Sequence, residues 1–417
     1  MSPHAIQSDT AKPRRRSVVL LSLLLLCLNP LAAAAASLAE AVASALVVQQ
    51  QEARIGALRG EQAAVDRQAA GPLAADPALR AKTLSDALTG DDGAYELEAL
   101  VDLPLWMPGQ RAARRSVAAA LGSQAGALSR YLRWELAGRV REAAWAAALA
   151  QGRLFQAGAA LESARALEQD IGKRSAAGEL ARVDLLVAQQ ETLAREVELQ
   201  AAQIEYDRAI NTYVHLTGLP ALPDPLVETP ARATDELELP PDHPLLASSA
   251  GAVAQARAER DRVQSGRRGN PILSLGAKQA RGARGAESDT ALQLEVSIPF
   301  GLASQSAPAL AGAERAYTER VAEQSLTRLE AGRDLHQARL GVLGAADALG
   351  VAQRRQTLTQ DALKLVRRAF DLGESDLTAL LLAQERARQA NLDLELRRLE
   401  QGRAAARFNQ AMGVVPE

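Results

Sequence analysis

The chain has 417 residues, a formal net charge of −2, 47% apolar residues, only 3% aromatics and a single cysteine. Its apolar fraction is mostly Ala and Leu and its charged fraction is rich in Arg and Glu, the profile of long helices packed through small side chains. That composition argues against an aromatic-lined ligand pocket, a base-stacking platform and a disulfide scaffold.

Reading from the N-terminus, Lys12, Arg14, Arg15 and Arg16 precede an apolar run from Ser17 to Leu28, broken by Asn29 and Pro30 and followed by small residues to Ala36. The run is short for a membrane helix, which needs about 20 residues, and suits a signal peptide with an Ala-x-Ala site. Residues 1–36 are therefore read as a cleaved signal, with Ser37 as the new N-terminus; an uncleaved anchor is the alternative. Leu26 stands before Cys27 where a lipoprotein signal has a small residue, so lipidation there is not expected. Cleavage leaves 44 basic and 49 acidic residues, a net charge of −5 with no cysteine. No electrostatic footprint for nucleic acid remains.

The rest of the chain is punctuated by proline. None lies between Pro108 and Pro220 or between Pro308 and Pro416, while seven cluster from Pro220 to Pro244. Proline breaks helix interiors, so the two gaps permit very long helices, and the cluster at 220–244 reads as a linker. It separates residues 37–219 from residues 245–417, and these halves read as copies. An offset of 195 places Pro104 on Pro299, Gly178 on Gly373, Glu179 on Glu374, Gln189 on Gln384 and Gly218 on Gly413.

Each half has the same expected order. In the first, a helix over 38–70 leads to strand-like segments, then a helix over 110–177, a Gly interruption and a last helix to Leu216. In the second, helices span 245–264, 309–372 and a final stretch to Met412. Leu186, Leu193, Val197, Ala201 and Ile204 lie along a coiled-coil-like stripe.

The strands decide the class. Leu97, Ala99, Val101, Leu103 and Leu105 alternate with Glu96, Glu98, Leu100, Asp102 and Pro104. Leu292, Leu294, Val296 and Ile298 alternate with Ala291, Gln293, Glu295 and Ser297. Both are period-2 patterns with one apolar face. Residues 272–281 form a third strand, and a weaker fourth lies within 79–87 before the turn-like Thr89-Gly90-Asp91-Asp92-Gly93, giving two hairpins. Two readings stay open. In one, a small soluble sheet turns its apolar faces inward against helices. In the other, Leu97, Val101, Leu103, Leu292, Leu294, Val296 and Ile298 face lipid and carboxylates face a wet lumen. Four strands cannot close a barrel, which needs about eight, so the second reading requires an oligomer.

The duplicated halves, the hairpins, the Pro104-Leu105-Trp106-Met107-Pro108-Gly109 strand exit and two tip segments together resemble a TolC-type outer-membrane efflux protein. The tips are Gly178-Glu179-Leu180-Ala181-Arg182-Val183-Asp184-Leu185 and Gly373-Glu374-Ser375-Asp376-Leu377-Thr378-Ala379-Leu380. The resemblance covers essentially the whole mature chain. It implies a mainly α fold in which four strands per chain contribute to a trimeric twelve-stranded barrel above a long α-helical barrel in the periplasm. It further implies passive conduction without chemistry or cofactor. The implied partners are two further copies of the chain, outer-membrane lipid, a periplasmic adaptor protein and an inner-membrane pump of the RND type. Gly178, Glu179, Leu180, Gly373, Glu374 and Ser375 would meet the adaptor. Their plainer reading is an ordinary inter-helix turn.

One departure concerns the entrance. Positions six and nine beyond Gly373, where some members carry an aspartate ring, are Ala379 and Leu382. Asp184 and Asp376 remain candidate entrance acids, although carboxylates there also suit helix N-termini.

Rival classes are weaker. His215, His243 and His336 have no metal-ligand spacing, and no nucleophile elbow or phosphate loop is present, so no catalytic, cofactor or metal residue is assigned. A periplasmic coiled-coil protein without channel activity would explain the helices but not the alternating strands. An adaptor would carry one helical hairpin between β-rich domains rather than two helical halves. The substrate, whether drug, metal ion or protein, is not encoded legibly.

Overall fold

The computed structural model describes residues 36–88, 90, 92–231 and 238–416. The expected signal segment therefore lies outside the described residues, apart from Ala36, as do Thr89 and Asp91 of the first hairpin turn.

The first half begins with α1 (Leu38–Val48) and α2 (Gln51–Ala70). Ser37 caps α1 reciprocally. Its hydroxyl accepts from the Glu40 amide at 3.2 Å and the Glu40 carboxylate accepts from the Ser37 amide at 2.7 Å, which satisfies two helix-end donors at once. The single opening helix expected over 38–70 is two, because Gln50 adopts φ 52°. No proline or glycine marks that break, so periodicity alone runs straight through it.

Then come β1 (Ala78–Ser85), β2 (Tyr95–Pro104), α3 (Gln110–Ala176) and α4 (Arg182–Thr217). The second half supplies α5 (Pro244–Ser265), β3 (Ile272–Arg281), β4 (Asp289–Ser297), α6 (Ala303–Asp371) and α7 (Leu377–Ala411). At 67 and 69 residues, α3 and α6 each extend roughly 100 Å. The sequence places the start of α6 after Pro308, yet it begins at Ala303. Pro308 sits in the second turn, where its absent N–H leaves the Ser304 carbonyl without its helical donor. Ser304 is exposed, so water can take that place, and the fixed φ of proline is itself helical.

Helix ends are set by glycine in the left-handed region. Gly178 has φ 80° and Gly373 φ 77°. After α3, the Glu179 amide donates to Arg174 O at 2.9 Å and the Gly178 amide to Ser175 O at 3.1 Å. After α6, Glu374 donates to Ala369 O at 2.8 Å and Gly373 to Phe370 O at 3.0 Å. Both are Schellman closures, which satisfy the last carbonyls and need a residue free to take positive φ.

The strands form one antiparallel sheet in the order β1-β2-β3-β4, not two separate hairpins. The joining pair is β2 with β3, where Val101 faces Leu275 and Leu100 faces Gly276 across the ladder. All four strands connect to helices at one end of the sheet, and both hairpin turns lie at the other.

Buried side chains are distributed along the helices. Near the middle, Leu38, Val42 and Leu46 of α1 pack on Leu132, Leu136 and Val140 of α3 and Tyr213 of α4. Nearby, Trp145 and Ala148 of α3 meet Ala406 of α7 beneath Leu222 and Leu226 of the linker. At the far end, Leu167 and Ile171 of α3 and Ala188 of α4 pack with Phe370 of α6 and Leu377 and Leu380 of α7. These clusters are small for a chain of this length, as the scarcity of aromatics implies.

Candidate functional site

The sheet has two chemically distinct faces. Register places Leu79, Val101, Leu275 and Leu294 in one row across the four strands and Ala81, Ala99, Ala277 and Leu292 in the next. Leu103, Leu273 and Val296 continue the same face. It is bare: Leu292 is 94% and Leu294 67% exposed, and Leu79, Leu97, Val101, Leu275, Val296 and Ile298 are exposed as well. Leu103 alone of the expected lipid-facing residues is only half exposed. Among the described residues no helix covers this face, so the apolar residues do not turn inward as in a soluble capping sheet. A contiguous apolar patch of this kind marks a contact surface.

The opposite face is ionic. Arg80 pairs with Asp102 at 2.9 Å and with Glu295 at 3.5 Å, and Lys278 bridges Glu96 at 2.7 Å and Glu98 at 3.6 Å. Lys82 lies 3.8 Å from Glu98. Ser274 donates to Asp102 at 2.5 Å and accepts from Arg80 at 2.9 Å. The carboxylates read from the sequence are there, but Arg80, Lys82 and Lys278, which that reading left out, largely neutralise them. The alternation Arg80–Lys82 in β1 was the available signal, and the uncertain limits of that strand hid it.

Leu100 also lies on this face, buried opposite Gly276. A Cβ at Gly276 would lie 1.9 Å from Ala99 O, so only glycine allows β2 and β3 to approach so closely. Both β1 and β4 are edge strands with an unpaired side, and open edges are sites where another strand can add.

A second bare apolar surface runs along the long helices. Val351, Leu358 and Leu365 recur every seven residues on α6, Leu372 continues the row at its C-cap, and all four are exposed. On α4, Leu186, Leu193, Val197 and Ile204 are exposed at coiled-coil spacing. Seven-residue apolar spacing is the pattern of helices that pack side by side.

The expected tip residues come together at the end of the helices away from the sheet, where the buried cluster of Ile171, Phe370 and Leu380 joins the two hairpins. Gly178, Glu179, Gly373 and Glu374 are exposed there. Leu180 is partly buried against the cluster, and Ser375 is half-buried. Asp376 is the N-cap of α7, its carboxylate accepting from the Ala379 amide at 2.7 Å. Asp184 accepts from the Ala181 amide at 3.2 Å at the start of α4. Both acids thus terminate helices, as carboxylates at N-termini do.

The histidines are dispersed. His215 and His336 are exposed on α4 and α6, while His243 is buried at the N-cap of α5, accepting from the Leu245 amide at 3.2 Å. Among the described residues, no group of three or more His, Cys, Asp or Glu is placed to hold a metal ion. Nor is any described helix long and apolar enough to cross a membrane.

No protein-family model matches the chain, and no curated protein matches it by sequence. Solved structures do share its architecture. The outer membrane protein VceC of Vibrio cholerae superposes with a TM-score of 0.69 at 17% identity, over 90% of this chain and 96% of that one. CusC, solved in a study of folding and transmembrane channel formation, gives 0.69 at 15% identity, over 90% and 92%. The outer membrane channel MtrE of Neisseria gonorrhoeae, in its open state, gives 0.66 at 15% identity, over 91% and 89%. The chain therefore has the fold of these outer-membrane channels over nearly its whole length.

Proposed function

We propose that the chain is the outer-membrane exit duct of a tripartite efflux or type I secretion system, conducting substrate passively from the periplasm to the exterior. The observation that carries this reading is the two-faced sheet. Eight large apolar side chains lie bare on one side and a paired ionic array lies on the other. In water the bare face is a liability; in a bilayer it is where the apolar side of a barrel wall belongs.

The open edges at β1 and β4 support closure by further copies. Three sheets of four strands make a twelve-stranded barrel, with the ionic faces lining the lumen. The exposed stripes on α6 and α4 support a matching closure of the long helices into a periplasmic tunnel. The common order of elements in the two halves, with a Schellman glycine after α3 and again after α6, supports their origin as a duplicated unit. The tips around Gly178, Glu179, Leu180, Gly373, Glu374 and Ser375 would then dock a periplasmic adaptor, which couples the duct to an inner-membrane pump, most simply of the RND type. Asp184 and Asp376 would add negative charge near the entrance while capping their helices. The export signal read at residues 1–36 fits this destination.

Fractionation of expressing cells tests the proposal. The protein is expected in the outer membrane as an assembly that migrates more slowly before boiling than the separated chains do after it. Recovery from the periplasm as a soluble rod-shaped monomer or dimer would replace the duct with a periplasmic coiled-coil protein.

A further inference from the structure

We propose that a cavity between α3 and α7 binds a small monovalent inorganic anion of the halide class. The site lies midway along the helices, where the first half meets the second, and it does not depend on the channel reading. The cavity measures about 210 Å³, and its lining includes Arg141, Glu142 and Trp145 of α3 and Arg403, Arg407 and Gln410 of α7.

Two residues lining it from opposite helices each carry a buried N–H donor that has no partner among the described residues. Trp145 is 1% exposed, and its indole Nε1 has no acceptor. The ring is held from moving toward one, because it presses on Gly402, where a Cβ would stand 2.3 Å from the indole edge. The Nε of Arg403 is also buried and unpaired. Buried donors are almost always satisfied, so two in one cavity call for an acceptor that binds there.

The acceptors nearby are already in use. The Glu142 carboxylate takes Arg403 Nη2 at 2.5 Å and Arg407 Nε at 2.6 Å. The amide oxygen of Gln410 takes Arg141 Nη1 at 2.6 Å, and its nitrogen donates to Trp134 O at 2.8 Å. Charge selects the class of ligand. Arg141 is matched by Glu228 at 2.7 Å, but Arg403 and Arg407 share the single carboxylate of Glu142. Among the described residues, one positive charge of this group is left over. A monovalent anion accepting from Trp145 and Arg403 neutralises it and satisfies both donors. A dianion would overshoot, and water would leave the charge.

The test uses the full-length protein in detergent. Crystals grown with bromide in place of chloride should show an anomalous peak within hydrogen-bonding reach of both Trp145 Nε1 and Arg403 Nε. In solution, replacing gluconate by chloride at constant ionic strength should raise the melting temperature by about 1–3 °C. Trp145→Phe keeps the ring against Gly402 but removes the N–H, and Arg403→Lys keeps the charge but removes Nε; each should abolish that rise. A bromide structure without the peak overturns the proposal, as does a chloride response equal in wild type and both variants. Should neither variant fold, the bromide structure of the wild type decides alone.

Discussion

His243 is where a single residue most clearly couples the two halves. It ends the linker, caps α5 and stacks edge-on against Trp134 of α3 at 5.2 Å, only 2% exposed. Burial pushes its pKa below the ordinary 6.5, against the opposing pull of the Ala411 carbonyl and Asp242. The unfolded chain therefore takes up a proton near pH 6.5 that the folded chain still refuses. Stability from this residue is full above that pH, falls as pH drops below it, and levels off under the folded pKa. Melting curves from pH 8 to pH 5 should show a steeper acid loss in wild type than in His243→Asn, which retains a side-chain acceptor for the Leu245 amide. Equal slopes would mean that other groups carry the acid sensitivity. The sequence showed this histidine in a proline-rich segment; its burial under Trp134 depends on α3 residues more than a hundred positions away.

Among the elements, the helical hairpins were the most legible. Proline gaps bounded them, and Gly178 and Gly373 marked the turns because a Schellman closure needs positive φ. Bulky residues at both glycines should strain each turn by about 1–2 kcal/mol, too little to dismantle helices of this length. On the proposed docking of an adaptor at the tips, the expected result of Gly178→Leu with Gly373→Leu is a protein that still assembles but couples poorly, read as lost efflux with normal assembly on a native gel. Unchanged efflux would remove the tips from the docking surface. Less legible were the break at Gln50 and the start of α6, since one uses a residue type that rarely takes positive φ and the other tolerates proline where its lost bond faces water. The β1 limits were obscured for a related reason: Arg80 and Lys82 belong to a face whose partners come from β2, β3 and β4, so the strand's own alternation looks less regular than it is.

For the whole molecule, the question is what completes a chain that leaves so much apolar surface bare. If the sheet faces lipid, a charge on that side is penalised by about 2–4 kcal/mol near the bilayer midplane, while the same charge on the ionic side is tolerated. Leu294→Lys is therefore expected to abolish outer-membrane assembly, measured as loss of the heat-modifiable form, and Gln293→Lys, one position along β4 on the opposite face, to assemble. Equal assembly by both variants would count against a lipid-facing wall.

The sequence alone determined the local order: where helices can run, where glycine must end them, and which strand positions share a face. Those properties follow from backbone sterics and side-chain periodicity, which act over a few residues. Only the tertiary structure decided that β2 and β3 join the hairpins into one sheet, that basic residues from β1 and β3 neutralise the acids of β2 and β4, and that no described helix covers the apolar side. Pairing between strands some 180 residues apart depends on where two long helical paths return to the same end, and no local pattern carries that information. The aromatic-poor composition excluded a large core from the outset; the structure shows its consequence, small clusters strung along helices whose other apolar faces stay exposed.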